Sequence, residues 1–83
     1  MSTAKVGENV INSYAIILEE VGTVAFEVDD ILYRIFQRDD KSWEIGVYRE
    51  ELMTTKVGEV FAFVEIDGGI CTGSSKDAVE FFL

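Results

Sequence analysis

Four adjacent acid pairs, Glu19-Glu20, Asp29-Asp30, Asp39-Asp40 and Glu50-Glu51, come nearest to chemistry in this chain. Paired carboxylates can share a proton for acid/base work or hold a divalent cation. Neighbouring residues on a strand point to opposite faces, so such a pair converges only in a turn. Asp29-Asp30 and Asp39-Asp40 fall where connections are expected, yet no further oxygen ligands follow at the spacing of a calcium loop. Solvated turns account for them, and no metal site is expected. The 83 residues include no His and one Cys. Without an imidazole there is no usual base for a Ser or Cys nucleophile and no His ligand for a metal. Cys71, near Gly69 and Gly73 and without a second thiol, reads as a small packed or turn residue. The stretch Gly68 to Ser74 imitates a phosphate-binding loop, but Ser74 stands where the Lys belongs. No catalytic residue and no cofactor is expected, and the reading is non-enzymatic.

What these residue types can do is bind. Sixteen Asp and Glu against seven Lys and Arg leave a formal charge of −9. The charge is zoned: Glu19 to Asp30 and Glu59 to Asp67 carry acids and no base, while Arg34, Arg38, Lys41 and Arg49 lie in the middle of the chain. On a strand, Glu27 and Asp29 would share a face about 6 to 7 Å apart, twice the rise per residue, and Glu65 with Asp67 would repeat that arrangement. Successive backbone phosphates are spaced similarly. Phe61 and Phe63 lie in the second acidic zone and are the candidate anchors beside these four acids. A cysteine that cannot pair within the chain and an N-terminus without an apolar signal-like core point to a cytoplasmic setting. No apolar run approaches the ~18 residues of a membrane span. The negative charge disfavours direct contact with nucleic acid or anionic lipid.

The elements that must position these residues follow from periodicity. Val24, Phe26 and Val28 alternate with Ala25, Glu27 and Asp29, and Trp43, Ile45 and Val47 alternate with Glu44, Gly46 and Tyr48. That is the pattern of half-buried strands. Tyr14, Ile16 and Leu18 fit the same period, while Ile31 to Arg38 and Val60 to Ile66 are apolar on both parities, as strands covered on two sides are. Gly22, Asp39 to Ser42, Gly58 and Asp67-Gly68-Gly69 read as turns. Ser74 or Ser75 can cap a closing helix with Asp77 in its first turn. The expectation is one α+β domain over residues 1–83. It comprises an antiparallel meander of four to five strands within 13–72, a short C-terminal helix over 75–83, and a segment 1–12 left open between a short helix and coil. The tetrapeptide Lys-Val-Gly-Glu occurs at Lys5 and Lys56 without matching flanks, so it marks no repeat.

One parity collects the core: Tyr14, Ile16, Val24, Phe26, Val28, Ile35, Trp43, Ile45, Val47, Val60, Val64 and Ile66. The other carries Ile17, Leu32, Phe36, Tyr48, Phe61 and Phe63 among Glu19, Glu27, Arg34, Arg38, Glu59 and Glu65. A helix of about eight residues, ~12 Å long, cannot alone cover a core face about 20 Å wide, and the apolar side chains of the second face need cover of their own. In size, charge and compartment the chain resembles the small acidic inhibitors that phages and mobile elements use against nucleic-acid-handling enzymes, and the immunity proteins that neutralise nuclease toxins. That resemblance implies a basic surface on another protein as partner, and it carries no residue roles. The alternatives are a self-assembling homodimer burying Phe61 and Phe63, and a small-ligand barrel with Tyr33, Arg34, Glu44 and Tyr48 at its mouth.

Overall fold

The computed structural model describes residues 7–83. Its elements run α1 (Glu8–Val21), β1 (Thr23–Val28), β2 (Ile31–Gln37), β3 (Trp43–Thr55), β4 (Gly58–Cys71) and α2 (Ser75–Glu80). The strands form one antiparallel meander in the order β1-β2-β3-β4. The α+β class and the C-terminal helix are as expected. The open question at the N-terminus is answered for residues 7–12, where α1 begins; residues 1–6 lie outside the described part.

Where Tyr14, Ile16 and Leu18 were expected to form a strand, α1 runs instead. The decisive spacing is Ile11, Ala15 and Leu18, all buried, with Tyr14 beside them. That is the i, i+4, i+7 stripe of a helix, which a period-two reading of Tyr14 to Leu18 cuts through. Ile16 and Ile17 face outward, Ile16 at 57% exposure. Gly22 ends the helix: its φ of 89° is left-handed, and its N–H donates to the Leu18 carbonyl at 2.9 Å. A Cβ is strained in that conformation, so Gly is the residue that lets α1 turn directly into β1.

Both helices pack on one side of the sheet. Val24, Phe26, Ile35, Trp43, Ile45, Val47 and Cys71 from the strands meet Ile11, Ala15 and Leu18 of α1 and Ala78 and Val79 of α2 in one buried cluster. Phe26 is stacked between Tyr14 (centroids 4.4 Å apart) and Tyr33 (5.3 Å). Trp43 donates its indole N–H to the Gly73 carbonyl at 3.2 Å, which ties the β4–α2 connection to the core. Cys71 is part of this packing, as expected of a small apolar residue.

Asp67-Gly68-Gly69 is not a turn but lies inside β4. The reason is space: a Cβ on Gly69 would stand 2.7 Å from the Phe81 ring, so the glycine lets the end of α2 settle against the strand. Val60 to Ile66 belongs to an edge strand rather than a central one, and Val60 and Ile66 are exposed, not core. The closing helix is shorter than 75–83, with Phe82 and Leu83 half-buried beyond its end.

Ser74 caps α2 reciprocally. Its hydroxyl accepts from the Asp77 N–H at 3.1 Å, and its own N–H donates to the Asp77 carboxylate at 3.1 Å. Replacing Ser74 by Ala is expected to lower unfolding stability by about 1 kcal/mol, read as a shift in denaturation midpoint with unchanged slope. Lys76 pairs with Glu8, joining the N-terminal ends of the two helices. That pairing raises the lysine's pKa from its ordinary value.

Candidate functional site

The strand register defines the face opposite the helices. Three rows cross it: Thr23, Phe36, Glu44, Ile70; then Ala25, Arg34, Gly46, Gly68; then Glu27, Leu32, Tyr48, Glu65. Side chains paired across antiparallel strands share a face, so each row is a line of neighbours ~5 Å apart. No described helix or strand lies over them, and the molecule measures 42 × 32 × 19 Å along its principal axes, thin in the direction of the layers. The small middle row makes a trough, and Tyr48 lies down over Gly46, which has no side chain to block it.

Beyond these rows β3 outruns β2. The β2 register ends with Ile31 opposite Arg49, so Glu50 to Thr55 pair only with β4 and project as a two-stranded arm. On the open face the arm continues with Glu50 opposite Phe63, Leu52 opposite Phe61 and Thr54 opposite Glu59. On its other face Met53 meets Val60 and Glu51 meets Ala62. Val57 stands at the tip, and Thr55 Oγ1 donates to the Gly58 carbonyl at 2.8 Å to close the hairpin. Two-stranded ribbons are marginal in water by themselves. This one nevertheless exposes Phe61 at 68%, Leu52 at 54% and Phe63 at 45%.

A bulge decides which expected residues meet. Between Val47 and Tyr48 the register shifts, Val47 facing Asp67 and Tyr48 facing Glu65, so Ile66 is the extra residue. The shift puts Glu65, Phe63, Phe61 and Glu59 on the open face and turns Asp67 to the helix side. Glu65 and Asp67 therefore do not form a same-face pair.

Glu27 and Asp29 do not either, because Asp29 has left the strand. Asp29 (φ 52°) and Asp30 (φ 68°) form the two-residue turn between Val28 and Ile31. Positive φ at both central residues is the geometry of a hairpin turn whose twist matches its strands, and Asp tolerates it. The expected phosphate-like spacing is thus absent. Glu27 and Glu65 instead stand at the two ends of one row, about 14 Å apart across three interstrand spacings. Of the six candidate residues, Glu27, Phe61, Phe63 and Glu65 share the open face; Asp29 and Asp67 lie off it. Glu44, Glu50 and Leu52 belong to the face and were absent from the interaction candidates, although Glu44 alternates visibly with Trp43 and Ile45.

The face carries Glu27, Glu44, Glu50, Glu59 and Glu65 against Arg34, a net charge of −4. The groups named for a barrel mouth do not converge. Tyr33 lies with the core, away from Arg34, Glu44 and Tyr48, which are neighbours around Gly46 on the open face, and among the described residues the sheet ends at β1 and β4 without closing. Among the described residues no cluster of three or more potential metal ligands occurs, and no helix is long and apolar enough to cross a membrane.

A shallow depression of about 390 Å³ lies between Phe36, Gln37, Arg38, Asp39, Asp40 and Glu44. Its floor is the β2–β3 turn, where the Ser42 hydroxyl and, at 3.0 Å, the Ser42 N–H donate to Asp40 Oδ1. The hydroxyl first and the amide second hold the Asp40 carboxyl below its ordinary 3.8. A carboxylate whose folded pKa is depressed adds stability that is complete above its unfolded pKa and is lost as pH falls through the folded one. Asp40→Asn is therefore expected to lower the denaturation midpoint at pH 7, with the difference from the parent shrinking below about pH 4. Paired denaturation curves at pH 7 and pH 3 check this.

No protein-family model matches the chain, and no curated protein or solved structure is significantly similar to it.

Proposed function

We propose that this chain is a non-enzymatic protein-binding module that lays its open sheet face and hairpin arm against a basic, partly apolar surface of another protein. The observation that carries this reading is the combination, on a face that no described element covers, of Phe36, Leu52, Phe61, Phe63 and Ile70 with a net charge of −4 among the described residues. Opposite potentials speed encounter, and aromatic side chains seated in pockets supply most of the affinity. Enzymes that handle nucleic acid present such basic surfaces to phosphates, so an enzyme of that kind is the partner class. A module seated there inhibits by exclusion.

The same apolar rows also suit a homodimer, the second reading. Charge weighs against it, because two copies meeting face to face would bring −4 against −4 in one interface, and like charges juxtaposed across an interface cost binding energy. Light scattering at micromolar concentration is expected to return the 9.3 kDa of one protomer. A mass of twice that would favour the homodimer.

The direct test is the association rate with a purified partner as a function of salt. The triple variant Glu50→Gln, Glu59→Gln, Glu65→Gln is expected to associate about tenfold more slowly at low ionic strength and with a flatter salt dependence. Asp29→Asn with Asp30→Asn and Asp67→Asn, three acids that lie off the face, serve as the charge-matched control and should change little. Equal slowing in both variants would mean that net charge alone, and not this face, steers the encounter.

A further inference from the structure

We propose that the outer edge of β4 takes up an extended segment of the partner as a fifth strand, and that this segment alternates basic and apolar residues. The inference rests on the reading of the chain as a protein-binding module and names how it binds. A strand at the edge of a sheet presents a row of backbone N–H and C=O groups without ladder partners, and proteins ordinarily blunt such edges with Lys, Pro or short length. β1, the other edge, is short at 6 residues. β4 is 14 residues long and contains no Lys, Arg or Pro. From Gly58 to Glu65, ahead of the bulge, it runs in regular register with β3. Among the described residues, β3 is its only strand neighbour.

The side chains along this edge specify the occupant. On the open face they read Glu59, Phe61, Phe63, Glu65, and on the other Val60, Ala62, Val64. A strand added beside them places alternate residues opposite the first set: cations against Glu59 and Glu65, apolar groups against Phe61 and Phe63. Backbone pairing supplies affinity and the alternate side chains supply selectivity, as in other strand-addition complexes.

A second copy of this chain is a poor occupant. The antiparallel register that brings Phe61 of one copy against Phe63 of the other also sets Glu59 against Glu65 twice, like charges directly opposed. In that register the acids that suit a cationic strand oppose a second copy, and in the register that sets Phe61 against Phe61 each Glu59 faces a Phe63 ring in place of a cation. The added strand would also give the arm a third member, which a marginal two-stranded ribbon lacks.

The sequence Glu-x-Phe-x-Phe-x-Glu is the same read in either direction, so a palindromic peptide fits it in parallel or antiparallel sense. The probe is acetyl-Lys-Thr-Leu-Thr-Leu-Thr-Lys-amide, added to the full chain, with binding followed by titration and amide hydrogen exchange read residue by residue. Binding is expected to slow exchange along residues 58–65 of β4 and not along β1, and to weaken with salt. The same peptide N-methylated at its three central residues keeps its side chains but loses the donors on both of its edges, and it should bind at least tenfold more weakly.

Equal binding of the N-methylated peptide, or protection that spares β4, would overturn strand addition while leaving the charged face as the binding surface. Protection of β4 without peptide, together with a doubled mass, would make a second copy the occupant and overturn the inference. If neither peptide binds, strand addition by a basic–apolar segment is wrong. If the Glu-to-Gln triple variant also meets its partner at the parent rate, the binding-face reading fails with it.

Discussion

Phe61→Thr together with Phe63→Thr is expected to raise the dissociation constant for the partner by about 100-fold or more, with folding stability nearly unchanged. An interface anchor is worth about 2 kcal/mol or more when truncated, which is a factor of ~30 for one residue, and neighbouring anchors do not add simply. Both rings are solvent-facing in the isolated chain, Phe61 at 68% and Phe63 at 45%, so their loss removes little burial. Thr is the suitable replacement because its branched Cβ keeps the strand preference of β4 while removing the ring. The measurement is a titration against the purified partner alongside a denaturation curve. Loss of binding with an equal loss of stability would place the rings in the fold rather than the interface. Unchanged binding would remove the arm from the proposal.

Leu18→Ala is expected to lower unfolding stability by about 3 kcal/mol, within the 2–5 kcal/mol range for emptying a fully buried leucine position. Leu18 is 0% exposed and sits in the core cluster where α1 meets the sheet. For a chain this small, total stability is at the low end of about 5–15 kcal/mol, so a large part of it is at stake. Ile16→Ala makes the test specific. If Tyr14, Ile16 and Leu18 shared a strand face, both substitutions would cost similar amounts. On α1, Ile16 points to water at 57% exposure, and its replacement should cost less than about 1 kcal/mol. Denaturant titration of the two variants under one condition decides between the two geometries.

Strands were legible where their side chains report a two-residue period without help from distant parts of the chain, whereas the outer half of β3 from Arg49 to Thr55 and the passage of β4 through Asp67-Gly68-Gly69 were not. Val24 to Val28 and Trp43 to Val47 alternate, and their buried apolar side chains are the ones that alternation selects, while Gly46 on the other parity is buried beneath Tyr48. Leu32, Phe36, Tyr48, Phe61 and Phe63 were assigned to the second parity, and all lie on the open face. α1 was not legible as a helix. Its Ile16-Ile17 pair and the Tyr14 to Leu18 alternation imitate a strand, and the stripe Ile11, Ala15, Leu18 becomes decisive only when a sheet lies against it. The terminal cap at Ser74 with Asp77 was readable, since that signal is contained within four residues.

By itself the sequence determined the chemistry that is absent and the side of each strand that is apolar. A chain without His has no imidazole in any fold, and alternation along a strand depends only on the pleat. Which acids stand together was decided by the tertiary structure alone. The extra residue Ile66 in β4 reverses the side taken by everything before it relative to everything after it, so Glu65 joins Phe61 and Phe63 while Asp67 turns away. That reversal is set by pairing with β3 about twenty residues earlier in the chain, and a shift of one residue in register exchanges faces. Where the two helices settle is equally non-local: both lie on one side, and their common choice leaves the other side, with its phenylalanines and glutamates, without a described element over it.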